Sequence, residues 1–160
     1  MILRTVNRWI ERLQVDAKGK KEYRQELIRK LQRNYNDEKI LAMELEAEAR
    51  LLPYEHLRKE VLSIARKEHD HAQKIAGLIV ELGGEVDRHI ESTYQAKPDG
   101  EFTQLLVVEK ELGERLMEEA NWAEDYGFWH HARVLRELDA EHHANMEAIE
   151  RVIMRVNTIV

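Results

Sequence analysis

The sequence contains no cysteine, and this absence excludes three kinds of chemistry. No disulfide can form, no thiolate can hold a metal ion, and no cysteine nucleophile is available. A chain without cysteine is compatible with a reducing compartment, so we expect a cytoplasmic protein.

Proline and glycine are also scarce, with two and seven residues among 160. A chain of this kind, with 35% charged residues and abundant Leu, Glu, Ala and Arg, is typical of an all-α protein. No apolar run approaches the roughly 18 residues of a membrane span. Arginines interrupt the apolar residues near Met1, so no signal peptide is predicted. The net charge of −6 argues against a general nucleic-acid-binding surface.

The spacing of apolar residues predicts a short amphipathic helix over residues 1–14, with its arginines on one side, and a linker over 16–21. Together they form an N-terminal segment, residues 1–21, in front of a helical domain at 22–160. We expect the short helix to pack on its own bundle or on a second subunit. Contact with a membrane surface is the less favoured alternative.

Four long helices are predicted in the domain, and they indicate a four-helix bundle. They run over about 22–52, 54–82, 101–124 and 128–156. Pro53 ends the first helix because it cannot continue the hydrogen-bond ladder, and Gly83-Gly84 is a C-terminal cap for the second.

The connection between the second and third long helices is different from the other two. Residues 85–100 are polar and irregular. Fully extended, they can span roughly 50 Å, whereas a helix of thirty residues is about 45 Å long. The connection can therefore run the full length of the bundle, as a crossover instead of a hairpin.

Each long helix has polar side chains in the middle of its apolar face. They are Glu38 on the first helix, Glu68 and His71 on the second, Glu109 on the third, and Asp139 and His142 on the fourth. Glu38 and Glu68 lie at equal distances along the chain from Pro53, one before it and one after it. In an antiparallel hairpin these two carboxylates should face each other.

The two halves of the chain superpose when Glu38 is aligned with Glu109, which indicates an internal duplication of a helix hairpin. The same alignment pairs Glu68 with Asp139 and His71 with His142. Core packing alone would preserve leucines, but not a carboxylate and a histidine at the same level of both halves. A hydrogen-bonded set of buried polar residues with no joint function is the less favoured interpretation.

Four carboxylates and two imidazoles at one level of a bundle imply cations, because buried like charges repel strongly. Two divalent ions about 3.5–4 Å apart would neutralise them. An oxygen-rich site with one imidazole per metal favours iron or manganese over copper.

A Glu on each of two helices, with Glu-x-x-His on each of the other two, is the pattern of the ferritin-like di-iron carboxylate superfamily. The local sequences resemble its rubrerythrin and bacterioferritin branches over roughly residues 24–156. The segments that carry the resemblance are Glu38-Lys39, Glu109-Lys110, the Glu-x-x-His-Ala signature at Glu68-His69-Asp70-His71-Ala72, and Leu82-Gly83-Gly84 at the end of the second helix.

The resemblance implies a protein that reacts ferrous iron with dioxygen or hydrogen peroxide, as a rubrerythrin-like peroxidase or oxidase or as a ferroxidase. Two iron ions are the implied cofactors, with manganese at one position as an alternative. The implied ligands are Glu38 and Glu109 as terminal ligands, Glu68 and Asp139 as bridging or semi-bridging ligands, and His71 and His142 with one on each iron. Asp139 departs from the pattern, because it is one methylene shorter than the usual Glu; it could bind one metal only, reach the metal through water, or leave a position open.

Tyr35 lies one turn before Glu38, where it could hydrogen-bond the site or carry an electron, although a half-buried aromatic residue is the preferred interpretation. Without cysteine the chain has no rubredoxin-like iron site, so the electron donor is expected to be another, unidentified molecule. A homodimer or larger homo-oligomer is expected. Three other functions stay open at this point: an iron-storage subunit of a ferritin-like cage, an oxygenase that acts on an organic substrate, and a metal-free helical interaction module.

Overall fold

The computed structural model describes the backbone of residues 2–158 and the side chains of residues 19–158. The helices are α1 (Ile2–Leu51), α2 (Glu55–Glu81), α3 (Ile90–Thr93), α4 (Phe102–Asp125) and α5 (Trp129–Thr158). No strand occurs within 2–158, which confirms the all-α prediction. Among the helices described, none has both the length and the apolar character needed to cross a membrane.

Helix α1 is continuous from Ile2 to Leu51, so the linker predicted at residues 16–21 is wrong. Gly19 is the main helix-weakening residue there, and a glycine inside a helix costs only about 1 kcal/mol relative to alanine. The lysines and the alanine around it are good helix formers. The predicted amphipathic packing of residues 1–14 lies outside the described side chains, and a domain boundary after residue 21 stays a prediction.

Two glycines with left-handed backbone conformations end α2 and α4. Gly83 has a φ of 82°, and its N–H donates to the carbonyl of Val80 at 2.9 Å while the N–H of Gly84 donates to Ile79 at 2.9 Å. This pair of hydrogen bonds is a Schellman motif, and the cap predicted at Gly83-Gly84 is confirmed. Gly127, with the same φ of 82°, ends α4 in the same way.

The connection from α2 to α4 is a crossover that follows α1 along its length, as predicted. Four residues of α1 hold it in order along the helix. Gln32 bonds the backbone of Asp87, Tyr35 bonds Glu91 of α3, Glu44 bonds Tyr94, and Glu48 accepts the amides of Asp99 and Gly100. Helix α4 therefore begins beside the C-terminal end of α1 and runs antiparallel to it.

The four long helices form a bundle in which α1 and α5 each pack against α2 and α4. Asn34 of α1 bonds Glu119 near the end of α4, and Glu60 near the start of α2 pairs with Arg155 near the end of α5 at 2.5 Å. Every long helix is therefore antiparallel to both of its neighbours. The two parallel pairs, α1 with α5 and α2 with α4, lie on the diagonals.

The hydrophobic core is divided into two clusters along the bundle axis. Helical spacing predicts one face on each of α1 and α2, and every residue of both faces is buried, which confirms them. They are Leu27, Leu31, Asn34, Glu38, Leu41, Leu45 and Glu48 on α1 with Leu52 directly after it, and Leu57, Val61, Ile64, Glu68, His71, Ile75 and Leu78 on α2 with Leu82 directly after it. One cluster includes Leu27, Leu31, Ile75, Leu78, Leu116, Leu135 and Leu138. The other includes Leu41, Leu45, Leu57, Val61, Ile64, Leu112, Ile149 and Val152. A layer of polar side chains lies between the two clusters.

Helix α5 faces the core at a different rotation from the one predicted. The alignment of the two halves predicts Asp139, Met146 and Ile153 on the buried face. In the structure Asp139 is buried, at 8% exposure, but Met146 and Ile153 are only half-buried. Leu138, Asn145 and Val152, each one residue earlier in the chain, are more deeply buried. The predicted face and the observed face of α5 both include Leu135, His142 and Ile149, so helical spacing alone cannot distinguish the two faces. The rotation moves Asp139 to the edge of the buried face.

Candidate metal centre

Five fully buried acidic and imidazole side chains form the polar layer between the two apolar clusters. Glu38 comes from α1, Glu68 and His71 from α2, Glu109 from α4 and His142 from α5, and each is 0% exposed. The structure thus brings together five of the six metal ligands that the resemblance implies. Their assignment as ligands stays a prediction.

Four of these residues form the compact part of the layer. One potential ligand atom of each of Glu38, Glu68, His71 and His142 lies within 4.8 Å of the other three. His142 Nε2 is 2.7 Å from a Glu38 oxygen and 3.8 Å from a Glu68 oxygen. His71 Nδ1 is 3.1 Å from Glu68 and 3.9 Å from Glu38. Ligands at about 2.0–2.2 Å from a metal ion are up to about 4 Å apart, and these four contacts between imidazole and carboxylate lie within that range.

Glu109 extends the layer on the other side of His142. Its Oε1 is 2.5 Å from His142 Nδ1. Its Oε2, like Oε2 of Glu38, is buried and has no hydrogen-bond partner among the described residues. Buried carboxylate oxygens without a partner are costly, and a bound cation would satisfy both. The donor set of carboxylates and imidazoles therefore fits a metal ion.

Asp139 lies apart from this cluster. Its Oδ1 is 3.5 Å from Nδ1 of His143, and it points towards α4 at Gly113, where an added Cβ would lie 3.0 Å from the same oxygen. The rotation of α5 explains this position, since Leu138 takes the place on the core-facing side. A direct role for Asp139 as a metal ligand stays a prediction.

Asn145 belongs to the layer and was missed by the sequence reasoning. It is 1% exposed, and its side-chain amide donates to Oε1 of Glu68. Its Oδ1 has no hydrogen-bond partner in the described part of the chain. The sequence does contain a pattern that includes Asn145, because Leu138, Asn145 and Val152 also form a stripe with helical spacing.

Glu141 is the second residue that the sequence reasoning did not assign. It lies on α5, and its carboxylate reaches across to His71 of α2, with Oε2 2.6 Å from Nε2. The other oxygen is 3.2 Å from Nζ of Lys74. This contact approaches His71 from the outer side of the bundle.

Burial and neighbouring charges shift several pKa values in the layer. Burial raises the pKa of Glu38 well above its ordinary value, although His142 opposes the change, and burial raises the pKa of Glu109 to about 7. Burial also opposes ionisation of Glu68, but hydrogen bonds to His71 and Glu38 and the charges of the two imidazoles together outweigh burial and lower the pKa to about 2. Burial disfavours the charged form of His142, yet Glu38 and Glu109 raise its pKa to about 11. The metal-free layer therefore holds protons at neutral pH.

Tyr35 is fully buried one turn before Glu38, but its hydroxyl faces the crossover. It donates to Glu91 of α3 and accepts a hydrogen bond from Arg88 at 2.9 Å. Burial, together with the hydrogen bond to Glu91, raises the pKa of Tyr35 to about 12. The structure does not place this hydroxyl on a candidate ligand, and an electron-carrying role stays a prediction.

A second buried polar group lies between α1 and α4, one turn from the layer. Asn34 donates to Glu119 and accepts from Nε of Arg115 at 2.8 Å, and Arg115 also pairs with Asp37 at 2.5 Å. Burial raises the pKa of Glu119 to about 7. Helical spacing does not single out Glu119, since it stands beside the predicted face of its helix.

Comparison with known proteins bears on the fold. No family model matches the sequence, and no curated protein matches it. Among solved structures, 23 chains match. One is the bacterioferritin-related protein from Bacteroides fragilis, described as a dodecameric thioferritin. It aligns with a TM-score of 0.65 over 85% of this chain and 89% of that chain, at 15% sequence identity.

The class of structure follows from this alignment and from the topology. The chain has a ferritin-like fold, in which two antiparallel helix hairpins are joined by a crossover along the bundle. At 15% identity the likeness extends to the fold alone. The predicted fold class is confirmed.

Proposed function

We propose that this chain is a ferritin-like iron protein that binds Fe(II) in the polar layer and reacts it with dioxygen or hydrogen peroxide. The observation that supports this most directly is the set of four buried residues, two carboxylates and two imidazoles, with ligand atoms within 4.8 Å of one another. Oxygen and imidazole donors without thiolates suit iron or manganese. The ferritin-like fold supports the same conclusion by analogy.

Iron bound in pairs would supply two electrons to dioxygen or peroxide, and the chain would supply the surroundings. Apolar clusters on both sides of the layer keep bulk water away from residues that are 0% exposed. His142 holds a proton in the metal-free protein, because, against the effect of burial, Glu38 and Glu109 raise its pKa to about 11, so a metal ion must displace this proton when it binds. Reduction of hydrogen peroxide to two waters consumes two electrons, which the iron would supply, and two protons.

A rubrerythrin-type peroxidase or oxidase is the finer form of the proposal. It is supported by the sequence resemblance at residues 68–72 and 82–84. In this form two iron ions stay bound and an external donor returns the electrons. Glu38, Glu68, Glu109, His71 and His142 would hold the two ions, with one imidazole for each ion. Asp139 completes the second position from the edge of α5.

Iron storage is the second candidate function, and the Bacteroides fragilis structure favours it. That protein is a dodecamer with the same fold. A dodecamer of this 19.0 kDa chain would have six times the mass of a dimer, and a sizing column separates the two easily. In a storage protein the iron is the cargo, and its uptake would continue far beyond two ions per chain.

An anaerobic titration of the metal-free protein with Fe(II) tests the proposal, followed by exposure to oxygen and, separately, to peroxide. We expect saturation near two irons per chain and a ferric absorption after oxidation. A faster reaction with peroxide indicates a peroxidase, and continued uptake indicates storage. Absence of saturable binding would contradict the proposal and leave a metal-free helical module.

Matched variants locate the binding site in the same titration. Glu68→Ala removes a carboxylate from the centre of the layer, and we expect a large loss of bound iron. Glu44→Ala removes a carboxylate from the same bundle that bonds Tyr94 instead, and we expect no loss. Equal iron content in both variants would contradict the ligand assignment.

A further inference from the structure

His71 has its two ring nitrogens in different surroundings. Nδ1 faces the polar layer, 3.1 Å from Glu68 and 3.9 Å from Glu38. Nε2 faces outwards and lies 2.6 Å from Oε2 of Glu141. The ring itself is fully buried between α2 and α5.

An ionised carboxylate only accepts hydrogen bonds, so the nitrogen that touches Glu141 must carry the proton. Nδ1 is then the nitrogen left to bind a metal ion, and it faces Glu38 and Glu68. In the metal-free chain Nδ1 also contacts Glu68 at 3.1 Å, so a metal ion would replace that contact when it binds. Glu141 therefore keeps the proton on Nε2 and turns Nδ1 towards the layer.

Lys74 holds the carboxylate of Glu141 in this position. The Glu141 side chain is 45% exposed, and its second oxygen lies 3.2 Å from Nζ of Lys74, one turn beyond His71 on α2. Each oxygen of Glu141 thus has its own partner on the neighbouring helix. The result is a fixed bridge from α5 to the outer edge of the His71 ring.

His142, the other imidazole of the layer, has no partner like Glu141 on the outer side of the bundle within residues 19–158, so the two halves of the layer differ. Both nitrogens of His142 face acids of the layer, with Nδ1 2.5 Å from Glu109 and Nε2 2.7 Å from Glu38. When the two halves of the sequence are aligned, Glu141 corresponds to Asp70, which is exposed on α2. The duplication therefore does not reproduce the contact.

We propose that Glu141 is a positioning residue that orients His71 for metal binding and makes the His71 side of the layer the tighter of two metal positions. This rests on the proposed function, because it presumes that the layer binds metal. The orientation of the ring, however, is a property of the metal-free chain and can be measured without metal.

The first test is nitrogen-15 NMR of the histidine rings in the metal-free protein, with His71 assigned by substitution. We expect a downfield, slowly exchanging Nε2 proton on His71. It should be lost in Glu141→Ala and kept in Glu137→Ala, a matched control exposed on the same helix one turn earlier. If the signal of the Nε2 proton is unchanged in Glu141→Ala, or is absent from the unaltered protein, the proposed orientation of the His71 ring is wrong.

The second test is a Co(II) titration followed by the visible spectrum. We expect Glu141→Ala to weaken one of two metal positions by about 10–100-fold, the usual effect of losing such a partner. Glu141→Gln should weaken it less, because the amide oxygen still accepts a hydrogen bond. Equal affinities in Glu141→Ala and Glu137→Ala would overturn the proposal, as would equal weakening of both positions.

These measurements distinguish a failure of the proposed function from a failure of the proposed role of Glu141. No saturable Co(II) binding by the unaltered protein would refute metal binding in the layer, and with it the tighter position. The NMR measurement would still decide whether Glu141 orients the ring.

Discussion

Glu119 is a buried acid whose ionisation should control how stability depends on pH. It is 5% exposed, and its carboxylate accepts a hydrogen bond from the side-chain amide of Asn34. Burial raises its pKa from the ordinary 4.5 to about 7, although Asn34 and Arg115 oppose the change. Replacing it with glutamine keeps the shape and the acceptor for Asn34, but removes the charge.

The direction of the pH effect on stability follows from whether the folded or the unfolded chain holds the proton on Glu119. Between pH 4.5 and 7 the folded chain keeps the proton on Glu119, whereas the unfolded chain has released it. Stability therefore falls as pH rises through this window, and the loss is complete above pH 7. The difference between the two pKa values corresponds to about 3 kcal/mol, at 1.36 kcal/mol for each unit.

We therefore expect Glu119→Gln to have nearly the stability of the unaltered protein at pH 4.5 and to be more stable by about 3 kcal/mol at pH 8. In a chain of this size that corresponds to a rise in Tm of roughly 6–12 °C. Thermal unfolding monitored by circular dichroism at pH 5, 6, 7 and 8 measures the effect on the metal-free protein.

Glu118→Gln is the matched control, since Glu118 is adjacent on α4 and exposed. It makes the same chemical change and should leave the pH profile of Tm almost unaltered. A Glu119→Gln variant that gains no stability between pH 5 and pH 8 would refute the reasoning. So would an equal gain in both variants.

Three further predictions concern the layer and the crossover. A metal ion at a hundred times its Kd should stabilise the protein by about 2.7 kcal/mol, and His142→Ala should abolish the resulting rise in Tm; a full rise in that variant would remove His142 from the site. Glu48→Ala should destabilise the chain by about 1.5–3 kcal/mol and speed hydrogen exchange of the two crossover amides that Glu48 accepts, whereas unchanged exchange would contradict its anchoring role. Asp139→Ala should halve metal stoichiometry if Asp139 is a ligand; unchanged stoichiometry would remove Asp139 from the ligand set.

Much of the fold could be predicted because the relevant signals are local. Apolar residues at helical spacing identify the buried faces of α1 and α2, and a face that is apolar in sequence must be buried somewhere. Pro53 and Gly83 mark the ends of helices through backbone geometry that depends on few neighbours. The length of the polar segment after α2 was enough to allow a crossover.

The linker predicted at residues 16–21 was wrong because one local signal in the sequence is too weak to end a helix. Gly19 suggests a linker in the sequence, but its cost of about 1 kcal/mol is small beside the helix-forming residues around it. The α1 helix therefore continues through it. A single weak residue does not break a helix, whereas proline does.

The candidate site was only partly accessible from sequence. Residues in the middle of each face could be named, and equal distances from Pro53 placed Glu38 and Glu68 at one level. The rotation of α5 about its axis could not be predicted, because two overlapping stripes, one through Asp139 and one through Asn145, both have helical spacing. Packing against α2 and α4 decides between them.

The sequence alone therefore determines four amphipathic helices, their order and the level at which acids and imidazoles enter the core, because each follows from spacing along one chain segment. Only the tertiary structure decides which acids meet which imidazoles. The contact of Glu141 with His71 and the separation of Asp139 from the layer depend on how α5 is rotated against its neighbours. A rotation of one helix about its axis by less than one residue position changes which side chains face the core, and periodicity within that helix carries no information about it.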